Sequence, residues 1–211
     1  MQIERFFYPV QSLGLGSRIG IWTLGCPHEC FNCSNPELWE EDEGKDISID
    51  QIFSLFEMVD GKIDGLTITG GEPFKQPEGL LALVTRFKRE YTDDILVYSG
   101  YTKQELIEMN DTYINDILDH ISVLIDGKYI DELNDNAPLR GSSNQQVHIL
   151  NRKYEKEYAA LSVGKRQVQN ILNNDEMISI GIPVNGYKRT LPKGLEKRFG
   201  IKTQIQKRGE L

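Results

Sequence analysis

The stretch that decides the fold is Ile19-Gly20-Ile21-Trp22-Thr23-Leu24-Gly25, followed at once by Cys26-Pro27-His28-Glu29-Cys30-Phe31-Asn32-Cys33. The apolar run from Arg18 to Leu24 is short and ends at a glycine, which predicts a buried β-strand. All three cysteines of the chain lie in the eight residues after it. The sequence therefore predicts a cysteine loop at the end of a buried strand.

Further along the chain, strands and helices alternate. Apolar runs predict strands over residues 66–69, 95–98 and 121–125, and helical periodicity predicts helices over residues 48–60, 77–91 and 102–120. Ser48 with Gln51, and Thr102 with Glu105, form capping boxes at two of the helix starts. Such alternation predicts right-handed βαβ units and a mostly parallel sheet.

Four polar or glycine-rich clusters each follow a predicted strand, at residues 25–35, 70–73, 99–101 and 126–128. Strand-to-helix loops of parallel strands leave the sheet at the same carboxyl edge, where ligands bind. We therefore expect the four clusters to surround one pocket.

The charge divides the chain into two parts. Residues 1–151 hold 11 Lys and Arg against 26 Asp and Glu, whereas residues 152–211 hold 13 against 6. We expect a main domain over 1–151 and a basic C-terminal extension over 152–211, with a helix at 153–173, a strand at 177–182 and a terminal basic segment. The alternative interpretation of the basic charge is a solvated helical face.

The composition, with 39% hydrophobic and 27% charged residues among 211, is that of an ordinary globular protein. No apolar stretch is long enough to span a bilayer and the first residues do not form a signal sequence, so we expect a cytoplasmic protein without a membrane partner. No nucleic-acid partner is expected. Three closely spaced cysteines are typical of a metal site in a reducing compartment, because an odd number makes a disulfide framework a poor explanation.

The thiolates of Cys26, Cys30 and Cys33 are soft ligands that suit zinc or an iron–sulfur cluster. A four-iron cluster needs four ligands, so three cysteines would leave one iron open for a substrate, a water or a histidine, and an open iron is a catalytic position. The alternative is a zinc knuckle completed by His28 or His148. Spacing alone leaves both open.

Two other clusters also allow two interpretations. Gly70-Gly71-Glu72-Pro73 is either a turn that needs positive φ or a place where a ligand lies against the backbone and Glu72 accepts a hydrogen bond from an ammonium group. Asp126-Gly127-Lys128 is either a turn or a pair of charged ligand contacts.

The cysteine loop together with Gly70-Gly71-Glu72 resembles the radical S-adenosylmethionine (SAM) superfamily. The chain is more similar still to the anaerobic ribonucleoside-triphosphate reductase activating proteins. The resemblance covers about residues 5–150. The matching residues are Tyr8-Pro9-Val10, Asn35, Trp39, the run 123–128 and the Arg-Gly-Ser-Ser-Asn-Gln run 140–145.

The resemblance implies an α/β fold, a partial (β/α) barrel of parallel strands, with a 4Fe-4S cluster on the three cysteines. It implies reductive cleavage of SAM to a 5′-deoxyadenosyl radical, which generates a glycyl radical on the large subunit of anaerobic ribonucleotide reductase. The electron donor would be a flavodoxin or a ferredoxin. By position, the cofactor-binding residues would be Asn32, Ser34, Gly70, Gly71, Glu72, Ser99, Asp126 and Lys128.

The chain departs from the family in two places. Asn32 stands where the superfamily often has an aromatic residue and the closer family has glycine, and residues from about 152 onward have no counterpart in the short activating proteins. Two alternative functions follow. One is a radical SAM enzyme acting on a small molecule or peptide, such as a 7-deazaguanine synthase, and the other is a zinc-binding interaction module.

Overall fold

A computed structural model describes residues 1–173 and 176–187 of the chain. Its main sheet has six strands, which are Ile3–Val10 (β1), Arg18–Thr23 (β2), Gly65–Gly70 (β3), Ile95–Tyr98 (β4), Val123–Asp126 (β5) and Gln146–Ile149 (β6). The helices are Ile49–Glu57 (α1), Pro77–Glu90 (α2), Lys103–Glu108 (α3), Thr112–His120 (α4) and Glu155–Ser162 (α5). A separate two-stranded sheet pairs Val168–Asn173 (β7) with Glu176–Gly181 (β8).

The strands of the main sheet lie side by side in the order in which they occur in the chain. Strands β2 to β5 are parallel, while β1 pairs antiparallel with β2 and β6 antiparallel with β5. This sequential order is that of a (β/α) barrel, whereas a doubly wound sheet reverses its order. In the described residues the two edge strands do not pair with each other, so the barrel is partial. The predicted α/β class with a parallel sheet is confirmed.

One face of the sheet packs on helices α1 to α4. Alternate strand residues such as Ile19 and Ile21, with Ile68 and Val97, form one core cluster with the apolar faces of these helices. The capping boxes predicted at Ser48 and Thr102 are both present. None of the described helices has the length and apolar character needed to cross a membrane.

The opposite face of the sheet is covered by residues of the extension. Tyr158 of α5, which has no exposed surface, packs in a cluster with Leu96, Val123 and Ile125. Ile180 of β8 is 3% exposed and packs in a second cluster with Trp22. The described part of the extension therefore lies on the inner face of the partial barrel.

A buried ion pair within the sheet accepts a hydrogen bond from this extension. The Arg18 guanidinium, with no exposed surface, lies 2.7 Å from Asp94 Oδ2 and donates to Thr67 Oγ1 at 2.8 Å and to the main-chain oxygen of Leu66 at 2.8 Å. The hydroxyl of Tyr158 donates to Asp94 Oδ1 at 2.7 Å. Because each charged group has several partners, the pair is stable away from water.

Two predicted helices are corrected. The helix expected over 102–120 is broken, because Asn110 has a positive φ of 52° and the Asp111 carboxylate caps α4 by accepting from the N–H groups of Tyr113 and Ile114. The helix expected over 153–173 ends at Ser162, and Val168–Asn173 instead pairs with Glu176–Gly181. The strand expected at 177–182 is confirmed as Glu176–Gly181. The basic segment 188–211 lies outside the described residues.

Candidate active site at the carboxyl edge of the sheet

The four clusters that follow the parallel strands come together in the structure. The N–H of Glu72 donates to the main-chain oxygen of Gly25 at 2.8 Å, which joins the second cluster to the first. Ser99 Oγ donates to Glu72 Oε1 at 3.0 Å, and the N–H of Gly127 donates to the main-chain oxygen of Tyr101 at 3.0 Å. Hydrogen bonds therefore connect all four loops around one site, as expected for parallel strands.

The cysteine loop is held at its start by main-chain hydrogen bonds to residues 38 and 39. The N–H of Cys26 donates to the main-chain oxygen of Trp39 at 2.8 Å, and the N–H of Cys33 donates to that of Cys30 at 3.0 Å. Glu29 and Asn32 adopt positive φ angles of 45° and 56°. These turns allow three cysteines to lie in one compact loop.

The three thiols are free and partly exposed. Burial raises the pKa of the Cys26 thiol, while main-chain N–H groups of His28 and Glu29 oppose this shift. Burial also raises the pKa of Cys30, opposed by the N–H of Tyr129. The N–H of Asn35 lies 3.4 Å from Cys33 Sγ. These N–H groups stabilise thiolate charge, which is what a metal cluster requires of its ligands.

The donor set suits a four-iron cluster. Such a cluster binds its ligands at separate corners, and three partly exposed thiols in one loop suit that arrangement.

Glu72 connects three of the loops. Its carboxylate has no exposed surface, and Oε1 accepts from the N–H of Phe74 at 3.0 Å as well as from Ser99. Oε2 accepts from the N–H of Gly100 at 2.7 Å and lies 3.1 Å from His28 Nε2. All four hydrogen-bond partners of the Glu72 carboxylate are groups of the protein itself. A buried carboxylate with this number of donors holds the surrounding loops in fixed positions.

His28 extends from the cysteine loop across the loop after β4. Its ring makes an edge-on contact with Tyr101, with 4.5 Å between the ring centroids. A Cβ atom at Gly100 would lie 2.1 Å from His28 Cδ2, so only glycine allows the histidine to occupy this place. Tyr101 belongs to the predicted cluster 99–101, but its contact with His28 was not predicted, because an aromatic residue in a loop has no distinctive spacing.

The two glycines after β3 pack against the strand and loop beside them. Gly70 has a φ of 112°, as the turn interpretation requires, and an added Cβ would lie 2.4 Å from the main-chain nitrogen of Thr23. A Cβ at Gly71 would lie 2.4 Å from the main-chain oxygen of Gly25. Both glycines are therefore needed for this loop to approach the cysteine loop.

Asp126 is a buried carboxylate that organises the end of β5. Its Oδ2 accepts from the N–H of Lys103 at 2.6 Å, at the first residue of α3, and lies 2.8 Å from His148 Nε2. Its Oδ1 accepts from the N–H of Gln146 at 3.1 Å. The negative charge of Asp126 at the start of α3 interacts favourably with the helix dipole.

The remaining predicted residues lie on the surface of the site. Asn32, Ser34 and Lys128 are exposed. Asn32 Nδ2 donates to Asp131 Oδ2 at 3.0 Å, which connects the cysteine loop to the segment after β5. Sequence reasoning missed Asp131 because a carboxylate in a polar loop gives no distinctive pattern.

Comparison with known proteins supports a cluster-binding function. A family described as "4Fe-4S single cluster domain" matches residues 12–148. The anaerobic ribonucleoside-triphosphate reductase-activating protein of Haemophilus influenzae is 38% identical over 150 residues, covering 67% of this chain and 94% of that protein. The protein of the same name from Escherichia coli K12 is 36% identical over 152 residues, covering 68% of this chain and 96% of its own.

Among solved structures, QueE from Escherichia coli is similar with a TM-score of 0.41 and 21% identity, over 47% of this chain and 52% of that one. The sequence relatives are much closer, and they are matched nearly from end to end. The chain therefore belongs to the family of anaerobic ribonucleoside-triphosphate reductase-activating proteins.

Proposed function

We propose that this protein activates an anaerobic ribonucleotide reductase by generating a glycyl radical on the large subunit of that enzyme. When bound, the 4Fe-4S cluster supplies one electron that cleaves SAM, and the resulting 5′-deoxyadenosyl radical removes a hydrogen atom from a glycine of the reductase. The observation that supports this proposal most is the match of two activating proteins over 94% and 96% of their length.

In this proposal Cys26, Cys30 and Cys33 hold the cluster, and no fourth cysteine exists in the chain to ligate the remaining iron. That iron is then free to bind SAM. The segments at 70–72 and 126–128, with Asn32, Ser34 and Ser99, form the surroundings of the SAM site. A flavodoxin or a ferredoxin is the proposed electron donor.

The direct test is to mix the reduced, reconstituted protein and SAM with the large reductase subunit from the same organism. We expect a glycyl radical signal in the electron paramagnetic resonance spectrum, which disappears when SAM is omitted. If 5′-deoxyadenosine forms but the reductase carries no radical, the enzyme acts on another substrate and the proposed target is wrong.

Glu72→Ala is expected to weaken SAM binding by about tenfold, the lower end of the effect of removing a residue that orients ligands of a metal site. The change removes the acceptor that joins Ser99, Gly100 and His28, while the three thiolates that hold the cluster remain. Isothermal titration of the reconstituted variant with SAM measures the affinity, and iron analysis measures the cluster.

The matched control is Glu132→Ala, which removes an exposed carboxylate from the segment after β5. This variant is expected to bind SAM as the wild type does. Loss of the cluster from Glu72→Ala, or an unchanged affinity for SAM, would contradict the role proposed for Glu72.

A further inference from the structure

Arg166 of the extension binds the polar loop that precedes β6. Its Nε donates to the main-chain oxygen of Ala137 at 2.8 Å, and its Nη1 donates to Asn134 Oδ1 at 3.0 Å. Its Nη2 donates to the main-chain oxygen of Arg140, and Nη1 donates also to that of Pro183 at 2.9 Å. The rigid guanidinium therefore joins the loop 134–140 to the residues after β8.

The loop bound by Arg166 leads directly into the Arg-Gly-Ser-Ser-Asn-Gln run, residues 140–145. Three side chains of this run hold the backbone that follows β5. Gln145 Nε2 donates to the main-chain oxygen of Gly127 at 2.7 Å, and Asn144 Nδ2 to that of Lys128 at 2.8 Å. Ser142 Oγ accepts from the N–H of Ile130 at 3.1 Å. The run thus fixes the path of residues 127–130.

Residues 129–131 in turn touch the cysteine loop. Asp131 Oδ2 accepts from Asn32 Nδ2 at 3.0 Å, and Asp131 Oδ1 accepts from the Tyr129 hydroxyl at 2.5 Å. Hydrogen bonds, together with the short stretches of chain between them, therefore connect Arg166 with the candidate cluster site.

Arg166 lies beyond the part of the chain that matches the 4Fe-4S domain family, which ends at residue 148. Its hydrogen bonds therefore connect a residue outside the matched domain with a loop inside it.

We infer that Arg166 is a positioning residue, which holds the loop 134–140 and, through the run 140–145, fixes residues 127–131 beside the cysteine loop. The extension then supports the site through this loop, in addition to covering the inner face of the sheet. Arg166 touches neither the cysteines nor the surroundings of SAM, so its effect passes through the loop. The part of this inference that concerns SAM rests on the proposed function.

Hydrogen exchange of the protein without cofactors tests the structural step. In Arg166→Gln we expect the amides of Ile130 and Ser143, which donate to Ser142 and Leu133, to exchange about tenfold faster or more. The amides of Ile68 and Val97, in the centre of the sheet, should keep the rates of the wild type. Arg152→Gln, which changes an exposed arginine of the same extension, should alter neither group.

Arg166→Lys separates position from charge. Lysine keeps the positive charge but has one nitrogen in place of the planar fork, so it cannot reach the four acceptors that Arg166 binds with three nitrogens. We therefore expect exchange as fast as in Arg166→Gln. Wild-type exchange in Arg166→Lys would assign the effect to charge and overturn the inference. Faster exchange throughout the sheet in both variants would also overturn it, because Arg166 would then serve general stability.

SAM binding to the reconstituted protein tests the functional step. Arg166→Gln is expected to bind SAM about tenfold more weakly while its iron content stays that of the wild type. Faster exchange with unchanged SAM affinity would overturn the positioning role. If the wild type itself binds no SAM, the proposed function fails, whereas the exchange experiment still decides whether Arg166 holds the loop.

Discussion

Cys30→Ala is expected to abolish cluster binding and with it the cleavage of SAM. A four-iron cluster with a single open iron needs three thiolates from the loop, and the alanine variant would have only two. Cys26→Ala and Cys33→Ala should have the same effect for the same reason. Anaerobic reconstitution followed by iron analysis measures the cluster, and chromatographic detection of 5′-deoxyadenosine measures the cleavage.

Phe31→Ala provides the control for these variants. Phe31 lies between two of the cysteines, and 73% of its surface is exposed, so its loss changes the loop without removing a ligand or a buried contact. This variant should retain the cluster. Production of 5′-deoxyadenosine by any of the three cysteine variants would refute the proposed ligand set.

Asp94→Ala is expected to cause the largest loss of stability, about 3–5 kcal/mol in the free energy of unfolding. The change leaves the fully buried Arg18 guanidinium without its countercharge and removes the acceptor of the Tyr158 hydroxyl. A buried charge that loses its partner keeps the full cost of desolvation. Chemical denaturation at neutral pH, followed by circular dichroism, measures the change.

The control is Asp50→Ala, which breaks the surface pair of Asp50 with Arg86. Asp50 is 93% exposed on its side chain, and solvent screens such a pair, so we expect no measurable change. If Asp94→Ala unfolds at the same denaturant concentration as Asp50→Ala, the buried pair does not have the structural role assigned to it.

The parallel part of the fold could be predicted because its signals are local. Strands β2 to β5 are short apolar runs closed by glycine or polar residues, and Ser48 and Thr102 mark helix starts with side chains that cap them. The convergence of four clusters followed from the topology alone, because parallel strands end at one edge. The family resemblance rested on residues of these clusters together with Tyr8-Pro9-Val10, Trp39 and the run 140–145, and it is confirmed by the relatives.

The elements that were missed or wrong depend on distant contacts. Strand β1, Ile3–Val10, mixes charged and aromatic residues because it lies at an edge of the sheet, and it was not predicted. Residues 168–173 were assigned to a helix, yet they form a strand because β8 offers them a partner. Neither strand pairing can be predicted from the local periodicity of the sequence, because each depends on a distant partner strand.

The site was predictable in part. Cysteine spacing and the Gly-Gly-Glu run indicated which residues form the site. The contacts of these residues with the cluster and with SAM stay predictions. The sequence could not indicate that the Glu72 carboxylate binds four groups of the protein, nor that Arg166 reaches the loop 134–140. Both depend on residues far apart in the chain.

The most direct measurement of the central claim is the iron and sulfide content of the anaerobically reconstituted protein, together with its electron paramagnetic resonance spectrum during titration with SAM. A cluster held by three cysteines with one open iron should give four irons per chain and a spectrum of the reduced cluster that changes as SAM binds that iron. A single zinc ion per chain, or a cluster spectrum that SAM leaves unchanged, would contradict it.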